Sequence, residues 1–237
     1  MSDLVKVKLP LALAIIVLAS YVVFLEVEAS DQSDEQIGAS AVWDPGQKEL
    51  QEIQDNCKRF SGDLYVRCFT DGMTDFGASP EAVDFTQLYA ENHAGKVAFL
   101  KGFHALDAVD LGYTAAPGGE SNQGWVLLNG SPEILNVDDD EIVSQAKLKQ
   151  NPLFATLRSS HPKAAIFPDR AERPYNGTPV MVKLPDGGQR FLISYPIKDG
   201  CDTCALIGTA VVKLDFDAGG TFLGADLANI GQPDAPK

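Results

Sequence analysis

The sequence predicts an α+β protein, and three patterns support this fold class. Apolar residues recur at helical spacing in the first third of the chain, and apolar and polar residues alternate in the last third. Turn signals such as Asn129-Gly130 and Asp186-Gly187-Gly188 separate the apolar runs of the second half. We therefore expect an N-terminal membrane helix, a helical first third, and then an antiparallel β-meander sheet with helices packed on one face.

Residues 1–28 predict a membrane anchor or a signal peptide. The run from Leu9 to Leu25 carries no charge, and Lys6 and Lys8 precede it. As a helix this run spans roughly 25 Å, close to the ~30 Å hydrocarbon core of a bilayer. The following glutamates make a poor cleavage region, which favours an uncleaved signal-anchor. The lysines place the N-terminus inside, so we expect a single-pass protein of the bacterial inner membrane with a periplasmic domain. The alternative is a soluble periplasmic protein after cleavage.

Residues 29–41 are small and acidic without an apolar period, which is typical of a linker. A mainly helical region is expected over residues 42–108. Its first helix should begin at Asp44-Pro45, because aspartate is a favoured N-cap and proline a favoured first helical residue. Four side chains at helical spacing would form the buried face of this helix: Leu50, Ile53, Cys57 and Phe60.

A second helix is predicted to start at Ser79-Pro80 and to end near Gly95, with Phe85 on its apolar face. Residues 96–107 show no clear period and are interpreted as helical as well. The first third of the chain is therefore expected to be mostly α.

Residues 109–228 are expected to form an antiparallel β-rich region. Its first predicted strand covers residues 109–115. Two apolar runs then meet at Asn129-Gly130, which predicts a hairpin over residues 125–137.

Two helices are expected within this β-rich region. Acidic residues from Asp138 to Glu141, followed by Lys147 and Lys149, match the dipole of one helix. A second, short helix should begin at Asn151-Pro152. Further strands are predicted at residues 164–167, 179–184, 189–197, 206–216 and 221–223, and residues 229–237 are expected to be a polar tail.

The last strands alternate strictly, which predicts one packed and one solvated face. On the packed face we expect Phe191, Ile193, Tyr195 and Ile197 of one strand, with Val212, Leu214 and Phe216 of the next.

The chain is strongly acidic, with a formal net charge of −14. Like charges repel the phosphates of nucleic acids and of anionic membrane surfaces, so neither is an expected partner. A basic protein is the natural complement of such a surface.

The four cysteines form an even set in a chain predicted to be exported, which favours disulfide bonds. Proximity in the sequence favours pairing of Cys57 with Cys68 and of Cys201 with Cys204.

The spacing of Cys201 and Cys204 also occurs in redox enzymes and metal sites. A redox pair depends on a helix N-terminus that stabilises the thiolate, whereas this pair lies between two predicted strands. A structural disulfide in a hairpin loop is the favoured interpretation, and redox work or metal binding are the alternatives.

No motif in the sequence indicates catalysis or a bound cofactor. There is no G-x-S-x-G elbow, no P-loop and no dinucleotide fingerprint, and the acidic run from Asp138 lacks the spacing of an EF-hand. The three histidines, His93, His104 and His161, are scattered. We therefore predict no catalytic residue, no metal site and no cofactor.

Several strings of residues resemble a group of uncharacterised bacterial envelope proteins, over about two thirds of the chain. These strings run from Gly187 to Pro196, Asp199 to Ala205, Leu214 to Asp217, Phe222 to Gly224 and Gln123 to Gly130, with Val137 to Asp139. The resemblance implies an envelope location and brings no known activity with it.

The cysteine loop also bears a fainter resemblance to periplasmic inhibitors of vertebrate lysozyme, which present a loop closed by two cysteines between strands of a meander. The loop here is shorter and has no histidine. That resemblance implies a candidate interaction loop formed by Asp199, Gly200, Asp202 and Thr203.

Taken together, these patterns predict a membrane-anchored periplasmic protein that binds another protein and does not catalyse a reaction. An accessory subunit of an integral membrane complex fits this description. The alternatives are a thiol/disulfide or metal-handling protein that uses Cys201 and Cys204, and an inhibitor of a basic soluble enzyme.

Overall fold

Two antiparallel sheets and four α-helices make up the part of the chain that the computed structural model describes, residues 36–118, 124–138, 149–167, 178–201 and 203–231. The helices are α1 Gln47–Cys57, α2 Asp63–Asp75, α3 Pro80–Asn92 and α4 Pro152–Ser160. The strands are β1 Phe99–His104, β2 Asp110–Ala115, β3 Gly124–Leu128, β4 Ile134–Asn136, β5 Ala164–Ile166, β6 Val180–Lys183, β7 Gln189–Asp199, β8 Leu206–Phe216 and β9 Phe222–Gly231. The predicted α+β class is confirmed.

The strands form two separate sheets rather than one meander. Sheet 1 has the order β1-β2-β3-β4. Sheet 2 has the order β5-β7-β8-β9, and β6 pairs with the same edge of β7 as β5 does. All pairings within the two sheets are antiparallel, and β7, β8 and β9 form the predicted meander.

Sheet 2 packs its apolar face on sheet 1, and this corrects the expectation that helices cover that face. Phe191 and Tyr195 of β7 are buried in one cluster with Trp125 and Leu127 of β3. Phe154 of α4 is the one fully buried helical side chain in this cluster. Sheet 1 can take this place because its central strands are apolar at successive positions, so both of its faces exclude water.

The opposite face of sheet 1 carries the first three helices. Val126 and Leu128 of β3 lie in a second cluster with Phe85 and Tyr89 of α3. A third cluster joins α1 and α2 to the end of sheet 1, through Ile53, Phe69, Met73 and Phe99 among others. We call α1, α2 and α3 the helical layer. The fold thus has three layers, with sheet 1 between the helical layer and sheet 2.

Gly112 of β2 shows how closely sheet 1 is packed. A Cβ atom at this position would lie 2.7–2.9 Å from methyl groups of Leu128, Leu100 and Val126. Only a residue without a side chain leaves room for these three methyl groups.

Residues 96–107 contain strand β1 and not the predicted helix. Phe99 and Leu100 are both buried, although neighbouring strand residues point to opposite faces. Two consecutive buried residues give no alternation, which is why the strand could not be recognised from its period.

The boundaries of several predicted segments also need correction. Ile37 and Ala41 of the predicted linker are buried among core residues. Helix α1 starts at Gln47 without a side-chain cap, and Asp44 instead forms an ion pair with Lys101 at 3.3 Å. Strand β9 continues to Gly231, so it includes the start of the predicted tail.

Other predictions are confirmed. Ser79 caps α3, since its hydroxyl accepts a hydrogen bond from the Ala82 amide at 3.1 Å. Strands β3 and β4 form a hairpin with Asn129 in a left-handed conformation at φ 65°.

No helix within the described ranges is long and apolar enough to cross a membrane. The predicted anchor, residues 1–28, lies outside those ranges, as do most of the helix predicted after Asp138 and the residue Asp202.

Candidate functional site

The predicted interaction loop joins β7 to β8 and is closed by a disulfide bond. Cys201 and Cys204 are bonded at 2.19 Å, which confirms their predicted pairing. Cys201 and Thr203 are exposed, and their Sγ and Oγ1 atoms lie 3.6 Å apart. The disulfide therefore lies at the surface, in a loop that connects two strands. The described residues of this loop include no helix.

Two residues of the loop have neighbours on the segment between α4 and β5. Asp199 Oδ2 lies 3.7 Å from Nδ1 of His161, and both side chains are partly exposed. The side chain of Lys163 packs against Gly200, where a Cβ atom would lie 3.1 Å from it. Among the residues with described positions, no group of three or more His, Cys, Asp or Glu side chains could hold a metal ion.

The second disulfide joins the end of α1 to α2. Cys57 and Cys68 are bonded at 2.02 Å, and Cys57 is buried. This pairing is also confirmed. Its effect is to hold two helices side by side over the turn that connects them.

The helical layer carries more net negative charge than sheet 2. Residues 44–95 contain ten Asp or Glu and four Lys or Arg, a net charge of −6, whereas residues 178–231 contain six and four, a net charge of −2. Within the helical layer and its described surroundings, the only ion pairs are Asp55 with Lys58 and Asp44 with Lys101. The other eight carboxylates have no cationic partner among the described residues, and their field extends into solvent.

A groove of about 580 Å³ runs between α1 and α2. Its lining includes Ile53, the Cys57–Cys68 disulfide and Gly72. Gly72 lets the two helices approach closely, since a Cβ atom there would lie 2.9 Å from Cγ1 of Ile53.

Exposed apolar side chains line the groove near its ends. Leu64 is 63% exposed and Phe76 is 37% exposed, and Phe60 lines the groove at the turn before α2. Twelve residues separate Leu64 from Phe76, which corresponds to about 18 Å along a helix. Their exposure beside one groove gives it an apolar surface that a partner could cover.

Charged side chains also line the groove. Glu52 of α1 and Asp71 and Asp75 of α2 contribute three carboxylates, and Arg67 contributes one cation. The groove therefore combines apolar contacts with a negative potential, and we call it the acidic groove.

A separate open cavity of about 310 Å³ lies between the helical layer and sheet 1. Asn136 Nδ2 donates to the Tyr89 hydroxyl at 3.2 Å, and Asn136 Oδ1 accepts from the Asp138 amide at 3.0 Å. Burial raises the pKa of Tyr65, which also lines this cavity. The Tyr89 ring in turn stacks on His93, with ring centroids 4.0 Å apart. These contacts tie α3 to sheet 1 and account for His93 as a structural residue.

The acidic groove was not expected from the sequence, which predicts one long buried face for the first helix. That prediction placed Phe60 on the buried face of the first helix and assigned no separate helix to residues 63–75. A signal was nevertheless present, because Leu64, Cys68, Asp71 and Asp75 recur at the spacing of one helical face. What the sequence does not reveal is that this face remains open beside α1.

The structure does not bring the interaction loop and the acidic groove into one site. The loop follows β7 in sheet 2, and the groove lies in the helical layer on the other side of sheet 1. Comparison of the chain with models of known families, with characterised proteins and with solved structures found no significant match.

Proposed function

We propose that this chain is a membrane-tethered periplasmic protein that binds a basic protein through its helical layer and catalyses no reaction. The observation that carries this proposal is the acidic groove, where exposed Leu64 and Phe76 lie among carboxylates without cationic partners. A surface of this kind attracts a cationic protein over a distance and then offers it apolar contacts.

The two charged surfaces of the chain differ in what they offer to a partner. In the interaction loop, Asp199 lies near His161, and one large apolar side chain beside the loop is exposed, that of Leu206 at 48%. In the helical layer, carboxylates and exposed apolar side chains occur together. The helical layer is therefore the better candidate for the main contact.

Tethering by residues 1–28 fits an accessory subunit of an integral membrane complex. A helix in the bilayer would keep the domain beside the complex, so that a modest affinity of the acidic groove suffices. An inhibitor of a basic soluble enzyme would use the same surface without the tether, and thiol chemistry or metal handling at Cys201 and Cys204 remains the third possibility.

Affinity purification in a mild non-ionic detergent tests the proposal. The bait proteins are the full chain, a form without residues 1–28, and two variants of the full chain. One variant is E52Q/D71N/D75N in the acidic groove, and the matched surface control is D199N/T203A in the interaction loop. The groove substitutions are expected to leave the fold intact. A negative charge near the C-terminus of α2 interacts unfavourably with the helix dipole, so its removal should not destabilise the helix.

We expect the full chain and the loop variant to recover one membrane complex containing a basic subunit, and the groove variant to lose it. Salt should release the complex, because exposed charges are screened beyond ~8 Å at physiological ionic strength. Recovery that is unaffected by the groove variant would contradict the proposal. Recovery of a soluble basic enzyme by both the full and the untethered chain would favour the inhibitor.

A further inference from the structure

We propose that the acidic groove binds a cationic amphipathic helix of about three turns. This inference rests on the proposed function and names the form of the partner. It follows from the length of the groove, from the chemistry of its lining, and from the hydrogen-bonding state of the two helices that form it.

The backbone groups of α1 and α2 favour a helical partner over an extended one. An extended segment gains affinity by pairing its N–H and C=O groups with a free strand edge. The acidic groove lies between two helices, whose central backbone groups are already bonded within each helix. A segment that binds there must satisfy its own backbone, and an α-helix does so.

The apolar side chains set the length of the partner. Leu64 and Phe76 are separated by about 18 Å along α2, which is the length of a helix of about 12 residues. Apolar residues on one face of such a helix, at positions i, i+4, i+7 and i+11, would reach both side chains.

The carboxylates set its charge. Glu52 lines the groove from α1, and Asp71 and Asp75 line it from α2, one turn apart. Lysine or arginine residues beside the apolar face of the partner would meet these groups, and an acidic helix would be repelled.

The groove is held in shape before a partner arrives. The Cys57–Cys68 disulfide and the close contact of Gly72 with Ile53 fix the distance between α1 and α2. A preformed groove loses little conformational entropy on binding, which favours affinity.

The test uses the full chain in nanodiscs of zwitterionic lipid and three labelled synthetic peptides of 14 residues. The first peptide is an amphipathic helix of leucine and lysine, the second has glutamate in place of lysine, and the third has the first composition in a non-amphipathic order. Binding is measured by fluorescence anisotropy, with empty nanodiscs as the blank.

The two protein variants compared are L64E/F76E and V182E/L223E. The second pair is a matched control, because Leu223 is as exposed as Leu64, at 63%, and Val182 is exposed at 42% on β6. We expect the first peptide alone to bind, and L64E/F76E to raise its dissociation constant about tenfold or more, as is usual for loss of an apolar anchor. V182E/L223E should leave it unchanged.

Equal binding of the lysine and glutamate peptides would overturn the inference, as would an equal effect of the two variants. If L64E/F76E has no effect on the peptide while E52Q/D71N/D75N still loses the cellular complex, the helical form of the partner is wrong and the proposed function stands. If the peptide binds the groove but the E52Q/D71N/D75N variant still recovers the complex, the proposed function is wrong instead.

Discussion

The helical layer and sheet 2 both pack on sheet 1, but they use their charges differently. On sheet 2, Arg190 donates two hydrogen bonds to Asp215, at 2.6 and 2.8 Å, and Lys213 lies 3.5 Å from Asp226. These pairs join neighbouring strands. In the helical layer most carboxylates have no such partner in the described structure. Charge thus serves the fold in sheet 2, whereas in the helical layer it is left available to another molecule.

The two layers are also attached to sheet 1 by different means. Sheet 2 uses buried polar side chains, since Gln189 bonds both backbone groups of Val109 and the Tyr195 hydroxyl donates to the carbonyl of Val137. The helical layer relies mainly on apolar packing, with a hydrogen bond from Asn136 of β4 to the Tyr89 hydroxyl of α3. Within that layer the Cys57–Cys68 disulfide joins α1 to α2. Each mode of attachment can be broken separately.

The largest expected effect is on the attachment of sheet 2. Gln189→Leu removes the partners of the Val109 N–H and C=O groups, and Val109 is fully buried. Leaving two buried groups without partners should lower the free energy of unfolding by about 4 kcal/mol. Urea denaturation measures this loss, with the exposed Gln51→Leu on α1 as the control. A loss below about 1 kcal/mol would mean that water replaces the glutamine.

The two disulfides should contribute unequally. Cys57 and Cys68 are 11 residues apart and Cys201 and Cys204 only 3, so the first bond restricts the unfolded chain more. We expect the C57S/C68S double variant to lose about 3 kcal/mol of stability, and C201S/C204S to lose less. Thermal denaturation under oxidising conditions compares them. Equal losses would show that the exposed loop supports sheet 2 more than its position suggests.

The smallest expected effect concerns the charge pair of sheet 2. Hydrogen bonds from Arg190 hold the pKa of Asp215 below its ordinary value of 3.8, while burial opposes this shift and the charge of Lys213 adds to it. Because the folded pKa is lowered, the pair stabilises the fold above the ordinary pKa, and this contribution is lost as pH falls through the folded pKa.

Asp215→Asn should therefore be less stable than the parent chain at neutral pH, with the difference closing below about pH 4. Denaturation at a series of pH values tests this. In an Arg190→Gln background the same substitution should have little effect, and a pH-dependent difference that survives there would assign the shift to another group.

Whether a sheet is packed on one face or on both decides how easily its strands are recognised in the sequence. Sheet 2 is packed on one face only, so Phe191, Ile193, Tyr195 and Ile197 alternate with polar residues and the strand is recognisable. Sheet 1 is packed on both faces, so Trp125 to Leu128 is a continuous apolar run without a period. The turn at Asn129-Gly130 identifies its hairpin, but nothing local indicates that a second sheet would cover it.

The candidate site was less accessible to sequence analysis than the disulfides. Proximity in the chain was enough to pair Cys57 with Cys68. The acidic groove depends on how far apart two helices lie, and that distance is set by the contact of Gly72 with Ile53 across the α1–α2 interface. Such a contact has no signature in the spacing of residues along the chain.

Asn129 fastens the segment before the first helix to the turn between β3 and β4. Its side chain accepts a hydrogen bond from the Ile37 amide and donates to the Ile37 carbonyl, both at 2.8 Å, and it also donates to Asp110 at 2.6 Å. The same segment is bonded to sheet 1 again where the Trp43 amide donates to the Leu100 carbonyl, at 2.8 Å. Replacement of the Asn129 side chain would therefore remove the partners of both Ile37 backbone groups at once.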